Sequence, residues 1–359
     1  MRLTNYRVTR SMLPLTAPFH TALRTVTAVE EIRVELRTDV GLVGVGSAAP
    51  TGAITGETAS SIVAALEEYV LPALSGQELT DIPHVQMIVA RSIVGNFSAK
   101  AAADIALYDL YAKHHNESLL SYLGGVSRPL WTDATVSLGE ISAMVGQAQG
   151  LVEQGFHHLK VKVGGHDGHD VERVIAVREA VPENVQMWVD PNQAWTVRES
   201  IAAAGVLVDF DIAFIEQPVV SRDIQGLREV TRRSPIPIAA DESVFGTEQL
   251  LRILDSQAAD IVNIKLMKCG GLSTARVMAD LVRSANVKIM VGSMMEGMAS
   301  VTAAAMFATT YQADYVDLDA AYFLSDPQVA GGIKYTGGSI ALPTGPGLGV
   351  DWPPVPPEE

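Results

Sequence analysis

From residue 132 onward the apolar positions follow two alternating rhythms. Short stretches that are wholly apolar or apolar at every second position fall at 133–138, 157–163, 185–190, 212–216, 236–241, 260–265, 287–293 and 314–319. The seven gaps between them carry apolar residues at the three-and-four spacing of amphipathic helices. The strand-plus-helix unit recurs about every 25 residues. Eight parallel strands at that period predict an α/β chain closed as a (β/α)7β barrel, a modified TIM barrel. An open doubly wound sheet is the competing arrangement. It would bring a glycine-rich phosphate loop after its first strand, and Ser137-Leu138-Gly139-Glu140 is not one.

Residues 1–125 read differently, as a separate α+β unit. Leu3 to Arg10, Glu31 to Thr38 and Gly41 to Ala48 alternate as strands, the last two joined by a tight turn at Thr38-Asp39-Val40-Gly41. Helical patterns follow at 57–74, 81–94 and 98–116. Two polar, turn-rich stretches, Pro14 to Thr25 and Pro50 to Gly56, read as loops of a length that is often functional. Gly124-Gly125 marks a boundary, the barrel occupies 126–325, and 326–359 is expected to fold back onto the first unit. The tail from Pro353 to Glu359 is expected to be disordered.

Composition narrows the function classes. A chain of 359 residues with 48% hydrophobic and 19% charged residues has a sizeable core. Its net charge of −15 argues against nucleic acid, whose affinity rests on phosphate neutralisation. The lone Cys269 forms no internal disulfide, the first residues show no basic region followed by an apolar run and a small-residue cleavage site, and no 18-residue apolar run appears later. The expectation is a cytoplasmic protein without membrane contact that acts on a small molecule; a homo-oligomer is left open.

The strand ends carry residues that a packed core would not choose. Lys160 and Lys162 point the same way on the second strand, about 6.7 Å apart, and would repel by roughly 2.5 kcal/mol at an effective dielectric of about 20. Two readings are open for that stretch alone: a wet cavity at a barrel mouth, or an exposed edge strand. Asp190, Glu216 and Asp241 end the next three strands, one unit apart, and three carboxylates on one arc call for a hard divalent cation, best Mg²⁺. Lys265 ends the sixth strand and so faces Lys162 across the mouth. A carbon acid between those amines could lose its α-proton to one and regain it from the other. That is racemisation or epimerisation, with Mg²⁺ and Lys160 stabilising the developing negative charge. The remaining arc, Ser293 with Glu296, Asp317 with Asp319, and Thr135, would hold the rest of the substrate. Asp317 and Asp319 would clamp an ammonium group or be solvated turn acids. Arg24 would bind a second carboxylate from the first unit or be a surface charge.

These residues together resemble the enolase superfamily in its muconate lactonizing enzyme subgroup. The resemblance rests on Lys160-Val161-Lys162, Asp190-Pro191-Asn192-Gln193, Ile215-Glu216-Gln217-Pro218, Asp241-Glu242-Ser243 and Asn263-Ile264-Lys265-Leu266-Met267-Lys268, in order over nearly the whole chain. Asp317-Leu318-Asp319 is similar to the Asp-x-Asp with which dipeptide epimerases hold the substrate's α-ammonium. Pro18 to Thr25, Ile54-Thr55-Gly56-Glu57, Asn96 to Lys100 and Thr135 resemble the L-Ala-D/L-Glu epimerases, in which the arginine at the position of Arg24 holds the glutamate carboxylate. The resemblance implies Mg²⁺ and a capping domain completed by the C-terminal segment. Ala320-Ala321-Tyr322 and His20 depart from the relatives' pattern.

The expectation is therefore a Mg²⁺-dependent isomerase that epimerises a dipeptide at the α-carbon of its C-terminal residue, best L-Ala-D/L-Glu. Competing readings are muconate cycloisomerisation, o-succinylbenzoate synthesis, N-acylamino acid racemisation, and a barrel that binds metal and ligand without turnover. Three further signals read as structural: His166-x-x-His169 as a loop, Cys269-Gly270-Gly271 as a tight turn, and Met294-Met295 with the helix at 300–308 as core.

Overall fold

A computed structural model describes residues 1–352. The tail expected from Pro353 lies outside them. An antiparallel sheet opens the chain, with β1 (Leu3–His20), β2 (Thr25–Thr38) and β3 (Val43–Ala48) side by side in that order. The helices α1 (Ala59–Ala65), α2 (Leu71–Leu74), α3 (Ile82–Arg91) and α4 (Phe97–His114) follow. The 18-residue α4 is buried along almost all of its length, because it lies between this sheet and the barrel. Glycine makes that approach feasible: a Cβ on Gly46 would stand 2.2 Å from the Ala102 carbonyl oxygen.

One stretch expected as loop is strand. β1 continues past Arg10 to His20, with a register shift between Pro14 and Phe19. Prolines broke the period-two pattern and hid it. They cost little here, because β1 is the sheet's edge and its outer side is bridged only locally, at Leu15 with Leu324. There Thr16 N donates to the Phe323 carbonyl and the Pro14 carbonyl accepts from Ser325 N, so that neither bond asks a proline for an N–H. The turn is thus confined to residues 21–24, and the β1–β2 hairpin reaches over the barrel. There Leu138 donates its backbone N–H to the His20 carbonyl at 3.2 Å, and Ala22 packs close to Gly164.

After α5 (Leu119–Tyr122) and β4 (Leu130–Trp131) come the eight parallel strands β5 (Ala134–Val136), β6 (His158–Lys162), β7 (Gln186–Asp190), β8 (Ile212–Glu216), β9 (Ile238–Ala240), β10 (Ile261–Lys265), β11 (Lys288–Gly292) and β12 (Tyr315–Asp317), paired in chain order. Each lies within two residues of its expected position. Between β12 and β5 the ladder is replaced by other bonds. Asp133 N donates to the Val316 carbonyl at 3.3 Å, Leu318 N to the Thr132 hydroxyl at 2.8 Å, and Thr135 N to Asp319 Oδ2 at 2.7 Å. Side chains therefore help close the barrel at this seam. Its lower interior is plugged by Trp188, Phe214, Ala239, Ile261 and Met290, with Trp188 stacked on Phe214 at 5.0 Å.

Strand signal was weak after residue 330, yet four short strands form there. Lys334–Thr336 and Ser339–Ala341 join Leu130–Trp131 in a three-stranded sheet, and Ala330–Gly331 pairs with Val350–Asp351. The segment also reaches the first unit: Leu348 N donates to Asp109 Oδ1 at 2.7 Å, and Arg33 lies over the Trp352 ring at 5.4 Å. No helix among the described residues is long and apolar enough to cross a membrane.

Candidate active site

The upper layer of the barrel interior is ionic. Lys160 Nζ lies 3.0 Å from Asp190 Oδ2, 2.7 Å from Glu216 Oε2 and 2.8 Å from Asp317 Oδ2, and its side chain is 2% exposed. Lys162 Nζ lies 2.6 Å from Asp190 Oδ2 and donates to Asn192 Oδ1 at 3.0 Å. Across the barrel Lys265 Nζ lies 2.9 Å from Asp241 Oδ2. Burial pushes Lys160 down, but Asp317, Glu216 and Asp190 outweigh it and hold it well above an ordinary lysine. Lys265 follows the same logic, with Asp241 overcoming burial. Burial drives Glu216 up to about 7 and Glu242 up to about 8. In Asp190 and Asp241 burial is outweighed by the lysines, and both sit below the usual carboxylate range.

The backbone that presents these groups is bent at the strand ends. Asn192, Gln193 and Gln217 have φ of 43°, 72° and 35°, which side-chain-bearing residues seldom adopt. Hydrogen bonds hold the bends. Asn192 N donates to Asp190 Oδ1 at 2.8 Å, while Gln217 Oε1 accepts from Asp241 N and Ser243 N, each at 3.0 Å. Asn263 Nδ2 donates to Glu216 Oε1 at 2.8 Å and fixes that carboxylate.

Asp190, Glu216 and Asp241 suit a hard cation. All three are at most 1% exposed, and Glu216 Oε2 and both Asp241 oxygens accept no aligned hydrogen bond. Ammonium nitrogens stand within 2.9 Å of each of those atoms but off the hydrogen-bond direction. An all-carboxylate set with unsatisfied acceptors matches Mg²⁺ rather than a softer metal. The tightest acidic group among the described residues is a different one. Oxygens of Asp133, Asp317 and Asp319 lie within 4.8 Å of one another.

A small cavity of about 50 Å³ opens above these groups. Lys160, Lys162 and Lys265 line it together with Thr135, Ser293, Asp317, Asp319 and Arg24, so eight of the expected residues meet in one space. Burial alone lowers the Arg24 pKa, and no carboxylate among the described residues opposes it. Its backbone is pinned by the Thr21 hydroxyl, which accepts from Arg24 N at 3.2 Å. Glu296 stands apart. It does not line the cavity; its carboxylate accepts from Met294 N at 2.7 Å and braces the loop after β11, and burial lifts it to about 7.

Sequence reasoning passed over several residues. Lys268, 1% exposed, approaches Asp241 Oδ1 at 2.5 Å and donates to the Asn263 carbonyl at 3.1 Å. Its signal was its place three residues after Lys265 on the short helix Leu266–Cys269. Asp133 gave no signal, because it opens the first expected strand, whereas polar residues were sought at the strands' carboxyl ends. Met294 and Met295 are buried as expected but also line the cavity, with Phe19 and Ile54. The His166 loop and Cys269 behave as read: His169 is exposed beside Glu172, and burial pushes the Cys269 thiol up to about 12.

Residues 4–124 match the mandelate racemase / muconate lactonizing enzyme N-terminal domain, and residues 143–354 match the enolase C-terminal domain-like family. The L-Ala-D/L-Glu epimerase of Bacillus subtilis (strain 168) is 39% identical over 354 residues, 98% of this chain and 97% of that protein. A substrate-liganded structure of the Bacillus subtilis L-Ala-D/L-Glu epimerase superimposes with a TM-score of 0.95, covering 98% of this chain and 99% of that one. The dipeptide epimerase of Enterococcus faecalis V583, solved with Mg and L-Leu-L-Tyr, gives a TM-score of 0.95 at 34% identity over 98% and 100% of the two chains.

Proposed function

Because the chain belongs to the mandelate racemase / muconate lactonizing enzyme family of the enolase superfamily, and is an isomerase that epimerises dipeptides, we propose the following roles for its residues. Lys162 and Lys265 exchange the α-proton of the dipeptide's C-terminal residue. Asp190, Glu216 and Asp241 hold Mg²⁺. The substrate is of the L-Ala-D/L-Glu type. One observation carries this reading: Lys162 and Lys265 enter one cavity from strands four places apart in an eight-stranded barrel, hence from opposite sides.

Mg²⁺, held by the three carboxylates, would neutralise them and draw negative charge onto the substrate's C-terminal carboxylate. Lys160 remains an ammonium, fixed beside that carboxylate by Asp317 at 2.8 Å. One of the opposed lysines, as free amine, takes the proton from the α-carbon; the other, as ammonium, returns it to the opposite face. The roles reverse for the other isomer. Asp317 and Asp319 line the cavity and receive the α-ammonium of the first residue, and Thr135 and Ser293 flank it. Arg24, which no carboxylate among the described residues pairs, supports an acidic second residue. Muconate, o-succinylbenzoate and N-acylamino acids bring no ammonium to Asp317 and Asp319.

The test is incubation with Mg²⁺ and a dipeptide library in D₂O, reading deuterium at each α-carbon by mass spectrometry. Label is expected in the C-terminal residue, strongest for Ala-Glu. If Asp317→Asn and Asp319→Asn leave turnover unchanged, the ammonium site has been placed wrongly.

A further inference from the structure

Three carboxyl groups converge where the barrel closes, and one of them has no role in the account above. Asp317 and Asp319 line the cavity; Asp133 lies behind them, with none of its surface exposed. Oxygens of the three lie within 4.8 Å of one another. Asp133 is tied to the backbone of the Asp-x-Asp pair through Thr132. That hydroxyl accepts from Leu318 N at 2.8 Å and donates to Asp133 Oδ1 at 3.2 Å. The other oxygen, Asp133 Oδ2, is buried and has no hydrogen-bond partner. The neighbouring cation is already divided: Lys160 reaches Asp317 but also Asp190 and Glu216.

Three ionised carboxylates behind one shared ammonium repel strongly in a space closed to water, and the innermost gains least from solvent. A buried acceptor oxygen without a donor is costly, whereas the same oxygen carrying a proton becomes a donor beside two acceptors. With Oδ1 accepting from Thr132, the proton belongs on Oδ2.

We propose that Asp133 is a positioning residue of the ammonium recess, present as a carboxylic acid whose Oδ2–H donates to the Asp317–Asp319 pair and fixes those carboxylates toward the substrate's α-ammonium. The proton stays on Asp133 throughout turnover. Burial, and then the charges of Asp317 and Asp319, push the Asp133 carboxyl far above its usual range, in keeping with this state. The ammonium part rests on the dipeptide reading; the protonation does not.

Two measurements test it. Infrared difference spectra of the ligand-free protein at pH 7, wild type minus Asp133→Asn, are expected to contain a protonated-carboxyl C=O band. Its absence overturns the proposal whether or not dipeptides turn over. In steady state, Asp133→Asn supplies an amide donor of nearly the same shape and is expected to keep KM for Ala-Glu within about threefold of wild type. Asp133→Ala is expected to raise KM about tenfold or more with kcat changed far less. A KM for Asp133→Asn raised as far as that of Asp317→Asn means that Asp133 acts as an anion, and overturns the proposal. Thermal melting of both variants separates loss of fold from loss of binding.

Discussion

Within the barrel, the same strands build two opposite environments two residues apart. Trp188, Phe214, Ala239, Ile261, Met290 and Tyr315 point inward at the lower level and form a dry plug. One step further along six of those strands stand Asp190, Glu216, Asp241, Asn263, Gly292 and Asp317, and the interior turns ionic. Strand geometry is identical in both layers, since period two places both on the same face. What differs is the free energy stored. The lower layer gains from excluding water. The upper layer buries acids and lysines that stay ionised by facing one another, an arrangement worth little for stability and sensitive to loss of any partner. Folding and chemistry are thereby assigned to opposite ends of one element.

The sharpest way to break this division is to cut one residue from each layer. Lys162→Ala and Lys265→Ala are each expected to lower epimerisation about 10²- to 10⁴-fold, the usual contribution of a general base. Each variant is expected to retain deuterium exchange from one isomer only, and with Mg²⁺ saturating, melting temperatures should hold within a few degrees, because the cation would take the place of the lost partner of Asp190 or Asp241. Phe214→Ala is expected to do the reverse. Loss of a buried aromatic that stacks on Trp188 at 5.0 Å should cost about 3–5 kcal/mol in urea unfolding, with kcat nearly unchanged. A catalytic defect in Phe214→Ala as large as its stability defect would dissolve the distinction.

Weaker perturbations sharpen it within the upper layer. Asp317→Asn removes one partner of the Lys160 ammonium and one of the two acids that meet the substrate. KM for Ala-Glu is expected to rise about 10- to 100-fold, the scale of a charge-assisted hydrogen bond. Arg24→Met leaves the barrel untouched and is expected to reduce the preference for Ala-Glu over Ala-Gln about tenfold, read as the ratio of kcat/KM values. Equal losses on both dipeptides would show that Arg24 serves the lid rather than the side-chain carboxylate.

The readability of these layers from sequence follows from the same geometry. Strand-end residues one unit apart advertise a ring, so Lys162, Asp190, Glu216, Asp241 and Lys265 could be placed before any coordinates. The plug was legible only as apolar strand. Asp133 escaped because it stands at the start of the first expected strand, whereas the ring was read from the strands' carboxyl ends. Lys268 escaped because a short helix turns it back to Asp241, a path that no periodicity announces. Glu296 was misassigned for a related reason: loop residues after a strand point where local hydrogen bonds take them, here to Met294 N. Prolines masked the length of β1, since edge strands tolerate what central strands do not.

The smallest expected effect carries the comparison furthest, because it separates stability from binding at one residue. Burial, then the charge of Asp317, lifts Asp319 to about 6. A raised carboxyl means that the fold favours its protonated form. This contribution to stability is therefore complete below the unfolded value near 4 and disappears as pH rises through about 6. Binding has the opposite sign, because only ionised Asp319 attracts the α-ammonium. With Mg²⁺ saturating, KM is expected to rise about fivefold between pH 6 and pH 5 in wild type and to stay flat in Asp319→Asn. Above pH 7 the same variant, though a poorer enzyme, is expected to be more stable by about 2–3 kcal/mol in denaturant unfolding. Were Asp319→Asn destabilised there instead, its bond from Thr135 N across the seam would outweigh its charge, and this upper-layer acid would belong with the groups that hold the barrel closed.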